Sequence, residues 1–316
     1  MNLRTIITIL VAAALAAGLL CVAGCRPERA ELVRAWQLTP DNTYSGPSLV
    51  DEAMSWSPDS KSLIFQVVST KGNGPSIMRW VVGEKQIERV TRGTSPNYTS
   101  NDTFVFLQTY PKILLEHTFS TNIQRQVAKD FEKVDIHRDV SGFTYDPVEK
   151  TYLLRISDFT AFYQPGCVAI DENGRQTKIV PPTTGSGVLD RSCDSKSNQS
   201  AVIFAAGDSR ELRISEPGKE LEAEALAKGS LGAVAWQPDG QIVAFSDSSE
   251  VKIISPQNGK IQTVARFFDR EEAGRSDSIC RLKWSPNGRY LAALNLVSYE
   301  LNSYAVLYVL DMSHIK

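Results

Sequence analysis

The sequence predicts an all-β fold: a six-bladed β-propeller closed by an N-terminal strand that completes the last blade. Three observations carry that expectation. A phrase recurs as Trp56-Ser57-Pro58-Asp59-Ser60, Trp236-Gln237-Pro238-Asp239-Gly240 and Trp284-Ser285-Pro286-Asn287-Gly288, each time followed by a short apolar run. Weaker copies lie between them at a spacing in the forties, the mark of a radial repeat. Finally, the last repeat stops at its third strand, while a strand-like segment without a partner stands near residue 32.

The position of Trp56 recurs at Tyr98, Tyr145, Cys193, Trp236 and Trp284, in steps of 42, 47, 48, 43 and 48 residues. The degenerate copies run from Asn97 to Asp102 before Phe104-Val105-Phe106, from Tyr145 to Lys150 before Tyr152-Leu153-Leu154, and from Cys193 to Asn198 before Ala201-Val202-Ile203-Phe204. The repeats fall near 48–94, 95–140, 141–187, 188–230, 231–277 and 278–316, the last completed by 31–39. In the phrase itself, Pro pre-sets φ at the second position of a type I turn, Asp or Asn suits the third, and Gly is favoured at the fourth. A tight turn between apolar stretches makes a hairpin, and the aromatic before it packs between neighbouring sheets. The Trp, Pro and Asp residues of the phrase therefore read as structural.

Each repeat continues with a second strand-turn-strand unit. Ile77 to Val82 leads through Gly83-Glu84-Lys85 to Ile87–Thr91, Val168–Asp171 to Gln176–Val180, and Val251–Ile254 to Ile261–Val264. Four short antiparallel strands per repeat are the content of one blade. Gly218 to Leu226 has helix-favouring composition but reads as a strand, because tertiary pairing overrides local preference. At the ends, Leu32 to Thr39 resembles an outer strand, and pairing with Val306 to Leu310 would close the ring and leave no sheet edge exposed.

The phrase and its continuation resemble the TolB-like, Trp-Asp-repeat-like propellers of bacterial envelope proteins, over about residues 31–316. The resemblance implies a periplasmic β-propeller. TolB itself carries an α/β domain ahead of its propeller and binds a peptidoglycan-associated lipoprotein; between residue 25 and the first blade there is no room for such a domain. Similar propellers precede hydrolase domains in prolyl-oligopeptidase-like enzymes, and this chain stops where that domain would begin.

The first 24 residues read as a signal peptide: Arg4, an apolar run from Ile6 to Leu20, then small residues before a boundary. The run is short for a membrane span. Val22-Ala23-Gly24-Cys25 resembles the bacterial lipobox, which implies a diacylglyceryl group on Cys25 and residues 25–30 as a tether. Each buried methylene of the acyl chains contributes about 0.8 kcal/mol, and the tether would hold the propeller within about 20 Å of the bilayer. The residue after the cysteine is Arg26 and not Asp, which in similar Gram-negative families implies the outer membrane, facing the periplasm.

The formal net charge is −2, and loss of Arg4 with the signal makes it −3, so there is no basic footprint for nucleic acid. Acidic and basic residues are interleaved, and the acidic stretch Asp269 to Asp277 reads as a loop. Beyond Cys21 and Cys25 the cysteines are Cys167, Cys193 and Cys280, an odd number at no zinc spacing. They suit small packing positions, although Cys167 and Cys193 could pair in an oxidising compartment.

No catalytic motif, metal motif or cofactor motif is found. His117, His137 and His314 are scattered. Gly207-Asp208-Ser209 resembles the start of an esterase block but falls between strands, and no nucleophile elbow or phosphate loop is present. Loops opposite the phrase carry aromatics that suit partner binding: Tyr110, Phe159, Phe162, Tyr163, Tyr299 and Tyr304. They could equally fold over the ring and pack. The expectation is a non-enzymatic, lipid-anchored module whose variable loops recognise a protein or glycan. The alternative is an envelope hydrolase or lyase with its site in the central funnel. Titratable groups gathered there, with perturbed pKa values, would favour the alternative.

Overall fold

The computed structural model describes residues 33–39, 44–45, 54–69, 74–109, 112–127, 140–146, 150–156, 167–171, 175–180, 188–194, 199–216, 219–220, 222–267, 275–299 and 302–315. Every regular element among them is a strand. Two short strands come first, β1 (Arg34–Gln37) and β2 (Tyr44–Ser45). The first repeat supplies β3 (Met54–Trp56), β4 (Ser62–Ser69), β5 (Pro75–Val81) and β6 (Ile87–Arg92). The second supplies β7 (Thr94–Tyr98), β8 (Thr103–Thr109), β9 (Lys112–Thr118) and β10 (Ile123–Gln126). The third supplies β11 (Val140–Asp146), β12 (Thr151–Ile156), β13 (Cys167–Asp171) and β14 (Gln176–Val180). The fourth supplies β15 (Val188–Asp194), β16 (Gln199–Ala206), β17 (Ser209–Ser215) and β18 (Ala225–Gly229). Then follow β19 (Leu231–Trp236), β20 (Val243–Asp247), β21 (Glu250–Ile254) and β22 (Ile261–Arg266), and finally β23 (Arg275–Trp284), β24 (Tyr290–Tyr299) and β25 (Asn302–Asp311).

The middle four repeats each make a four-stranded antiparallel meander. The first and last repeats share one nine-stranded sheet, so the described residues form five hydrogen-bonded sheets where the repeats predict six. The cause is β2, whose Ser45 pairs with Tyr304 on one side and with Val68 on the other. Within this sheet β23, β24, β25 and β1 follow one another, as do β3, β4, β5 and β6.

The closing strand forms as the sequence predicts. β1 runs antiparallel to β25 with Arg34 opposite Asp311 and Gln37 opposite Tyr308. Leu38 N then donates to Leu307 O at 2.8 Å, and Leu307 N donates to the Thr39 hydroxyl at 2.8 Å. The outer edge of β25 is thereby covered, which removes a template for edge-to-edge pairing.

The repeated phrase makes the expected tight turns. Ser60 N, Gly240 N and Gly288 N each donate to the carbonyl three residues back, at 2.8, 2.9 and 2.8 Å. Ser60 holds φ +62° where its two counterparts are glycine, a conformation that glycine adopts without steric penalty. Two segments differ from expectation. Of Gly218 to Leu226, the described residues are strand from Ala225 onward, and Glu220 and Glu222 lie in turns, because Glu220 is drawn inward to accept the Ser200 hydroxyl at 2.6 Å and to pair with Arg191 at 3.1 Å. Of Asp269 to Asp277, the last three residues begin β23, where Arg275 Nε donates to Asp277 at 2.8 Å.

The core is divided among the joints between successive sheets. One cluster unites Trp36, Trp56, Tyr290 and Val309 of the first and last repeats, with Trp56 stacked on Tyr290 at 5.8 Å. Others join β19–β22 to the last repeat, β15–β18 to β19–β22, the first repeat to β7–β10, and β7–β10 to β11–β12. Side-by-side packing of sheets, as in blades, accounts for each of these joints.

Candidate functional site

The first strands of the repeats touch in the order β15, β19, β23, β3, β7, β11. At the turn end they are tied by side chains. In four repeats the residue before the position of Trp56 reaches the next first strand: Ser55 accepts from Tyr98 N at 3.1 Å, Asn97 donates to Phe143 O at 3.1 Å, Ser192 accepts from Trp236 N at 2.8 Å, and Lys283 Nζ donates to Met54 O at 3.1 Å. The phrase's own indoles add to this row, Trp284 Nε1 to Ala235 O and Trp56 Nε1 to Lys283 O, both at 3.1 Å. Blades without shared backbone ladders need such links, and here they satisfy buried polar groups on both sides.

Two residues earlier the strands lose their regularity. Pairing is interrupted between Thr94 and Asn97 in β7, Val140 and Gly142 in β11, Val188 and Asp190 in β15, Leu231 and Val234 in β19, and Ile279 and Arg281 in β23. A bulge bends its strand and re-aims the side chains beside it, and bulges gather next to active sites. The residue three before the repeat aromatic is Ser95, Gly142, Asp190, Ala233 and Arg281 in these five strands. Small residues thus alternate with polar ones.

Asp190 is the chemically distinctive member. Its Oδ2 accepts from Val234 N at 2.8 Å and its Oδ1 from Arg191 N at 3.0 Å. Burial pushes its pKa above the ordinary aspartate value; the two backbone N–H groups and the charge of Arg281 pull the other way and are outweighed. Arg281 lies two first strands away from Asp190, and the strand between offers only Ala233, so the two charges still act on one another. Arg281 also donates to Cys280 O at 2.7 Å. Burial raises the Cys280 thiol pKa, and its Sγ–H donates to Leu294 O at 3.5 Å, so this free cysteine is a packing group and not an activated nucleophile. A carboxyl whose pKa is raised can hand over and take back a proton, and a guanidinium can hold an anion.

The residues singled out in the sequence fare differently. Tyr110, Phe159, Phe162, Tyr163 and the lipidation residue Cys25 lie outside the described residues. Tyr299 ends β24, its side chain outside the described ones. Tyr304 is 9 % exposed and packs in the core with Val297 and Val306, so it is corrected from a rim aromatic to a core residue. In β25 it stands opposite Val297 of β24 and Ser45 of β2, and apolar burial outweighs exposure of its ring. Cys167 and Cys193 lie in β13 and β15. His117 is buried between Phe104 and Phe119, each 5.3 Å away, far from any second histidine among the described residues. Asp190 and Arg281 escaped notice because an isolated Asp and Arg form no local motif; only their shared place three residues before the repeat aromatic could have flagged them.

No protein-family model matches the chain, and no curated protein matches it in sequence. Solved structures do. An oligogalacturonate lyase from Vibrio parahaemolyticus superimposes with a TM-score of 0.54 at 11 % identity, over 90 % of this chain and 96 % of that one. An oligogalacturonate lyase in complex with manganese gives 0.53 at 11 % identity, over 91 % and 98 %. Hydrazine synthase of Kuenenia stuttgartiensis matches with a TM-score of 0.42 at 14 % identity, over 82 % and 80 %. Likeness at such identity shows the fold, which is of the β-propeller type. It also corrects the expectation that this fold implies a non-catalytic interaction module: two structures that share it along nearly their whole length are oligogalacturonate lyases. The manganese belongs to that protein. Among the described residues here no three of His, Cys, Asp and Glu converge to hold a metal.

Proposed function

We propose that this chain is a carbohydrate-cleaving enzyme of the bacterial envelope, a lyase or hydrolase with its site in the central funnel of a six-bladed propeller. The count of six follows if the nine-stranded sheet is two blades, β23-β24-β25-β1 and β3-β4-β5-β6, stitched by β2. The reading is carried by one observation: the carboxyl of Asp190 accepts from Val234 N at 2.8 Å at the bulged end of the inner strands, where burial raises its pKa and the charge of Arg281 acts on it. Likeness to lyases of oligogalacturonate supports an acidic oligosaccharide as the substrate class. Arg281 would hold a sugar carboxylate, and Asp190 would move a proton between ring carbon or water and the leaving glycosyl oxygen. General acid–base catalysis of this kind is worth about 10²–10⁴-fold.

The test is turnover of oligogalacturonate and of a neutral oligosaccharide of equal length. Unsaturated uronate, seen by its ultraviolet absorbance, marks a lyase, and new reducing ends without it mark a hydrolase. Asp190→Asn should lower either rate by about 100-fold or more. No product from either substrate sinks the proposal.

The TolB-like envelope setting belongs to the same proposal. Cys25 is the lipid attachment point, and the short tether from it to β1 keeps the propeller at the periplasmic face of the outer membrane. Cys25→Ser should move the protein from the membrane to the soluble fraction and abolish palmitate labelling; a mutant that stays in membranes argues against the anchor.

A further inference from the structure

The register of β1 fixes the end of the strands at which the chain enters the fold. Arg34 stands opposite Asp311, the last residue of β25, and Met312 N donates to Arg289 O at 2.8 Å. The chain therefore comes in beside the phrase turn that joins β23 to β24. These turns are linked to one another as a rim. Gln237 Nε2 donates to Gly288 O at 3.0 Å, Asn287 N to the Ser60 hydroxyl at 3.0 Å, and Asp59 N to Asn101 Oδ1 at 2.9 Å. In an antiparallel meander the turns after the first and third strands share one end, and the turn after the second lies at the other. The β9–β10 and β21–β22 turns thus belong to the rim, and the β16–β17 turn to the opposite end.

The length of chain ahead of β1 says what the rim faces. From Cys25 to Arg34 is nine residues, a reach of at most about 30 Å. β24 spans ten residues, so the two ends of the strands stand about 30 Å apart. Turned over, the ring would put that height between Arg34 and a lipid on Cys25, and the tether would be stretched to its limit. Two of the three large exposed apolar side chains among the described residues point the same way. Ile123 and Ile261, 60 % and 42 % exposed, open β10 and β22 directly after turns of the rim, on the second and fifth repeats. Such side chains gain by entering a headgroup layer. Exposed Asp59, Asp239, Lys61, Lys260 and Arg289 give the rim charges of both signs, which suits zwitterionic headgroups. We propose that the rim of turns rests on the lipid surface that holds Cys25, and that the bulged end of the first strands, with Asp190, faces away into the periplasm. This rests on the lipid anchor of the proposed function and adds the orientation of the ring.

The experiment is energy transfer from the lipidated full chain to vesicles of phosphatidylethanolamine and phosphatidylcholine that carry an acceptor dye on their headgroups. The donor is coupled to an azide-bearing phenylalanine in place of Gln257, in the β21–β22 turn, or of Asp208, in the β16–β17 turn; both positions are exposed. The donor at Gln257 should lose most of its emission and the donor at Asp208 should keep most of its own. The double variant Ile123→Ser, Ile261→Ser should narrow that difference; an unchanged difference removes the two isoleucines from the contact. Equal loss at the two positions, or a greater loss at Asp208, overturns the orientation. The anchor survives that result if wild type floats with the vesicles and Cys25→Ser does not. If wild type does not float, the anchor fails and the orientation falls with it.

Discussion

The two ends of the inner strands were built from the same repeat and have opposite character. At the turn end, Trp56, Trp236 and Trp284 are buried, the phrase closes three equivalent turns, and side chains from Ser55, Asn97, Ser192 and Lys283 tie each strand to the next. At the other end the ladders are broken by bulges, the row of side chains alternates small with polar, and one carboxyl is held toward its neutral form. The difference teaches where stability and chemistry are divided. Regular pairing and side-chain links hold the turn end, although Trp236 Nε1 and Gln237 Oε1 there have no partner; the interruptions of the ladders gather at the other end.

The comparison can be broken first at the closure. Removing residues 33–39 uncovers the edge of β25 and takes Val33, Trp36 and Leu38 from two core clusters. It should abolish most of the ~5–15 kcal/mol that holds a domain of ordinary stability, seen as loss of the whole cooperative transition. A truncated chain that melts unchanged would show that β1 is decoration. Next in size, Trp284→Ala leaves a cavity in the joint between β19–β22 and the last repeat and strands Ala235 O. It should cost about 3–5 kcal/mol, measured by denaturant unfolding, whereas Asp190→Asn at the bulged end should be nearly neutral for stability.

The smallest effect is a pH dependence in which two groups act with opposite signs. Burial lowers the pKa of His117 below 6.5 in the folded state. The unfolded chain then binds more protons between the two values, so the stability His117 gives is present at neutral pH and is lost as pH falls below about 6.5. Asp190 is raised above 3.8 by burial. Its folded state binds more protons, so the stability it gives is present in acid and is lost as pH climbs from about 4 through the folded value. Stability measured against pH should therefore flatten below neutrality in His117→Leu, and Asp190→Asn should remove the acid-side contribution. A profile that neither variant changes would mean that both groups titrate normally. Glu88 and Asp102, whose charges oppose the lowering at His117, keep that effect modest.

Much of the fold was legible in the chain. Trp56, Trp236 and Trp284 mark the joints, Pro58, Pro238 and Pro286 mark the turns, and Leu32 to Thr39 announced its partner. The bulges were not legible, because an extra residue in a strand changes pairing without changing composition. Nor was β2, two residues whose pairing with β25 and β4 depends on the ends of the chain meeting. Glu220 turned a predicted strand into a turn because its charge found Arg191 and Ser200, partners on other elements.

The sequence by itself determined the repeat, its turns, the apolar joints and the closing strand, since each is a local pattern or a copy of one. Tertiary structure alone decided that the charge of Arg281 acts on Asp190, that Ser95 is strained, and that Tyr304 is core. The physical reason is distance in the chain: these groups come from different repeats, and only the packing of sheets side by side brings their fields and surfaces together.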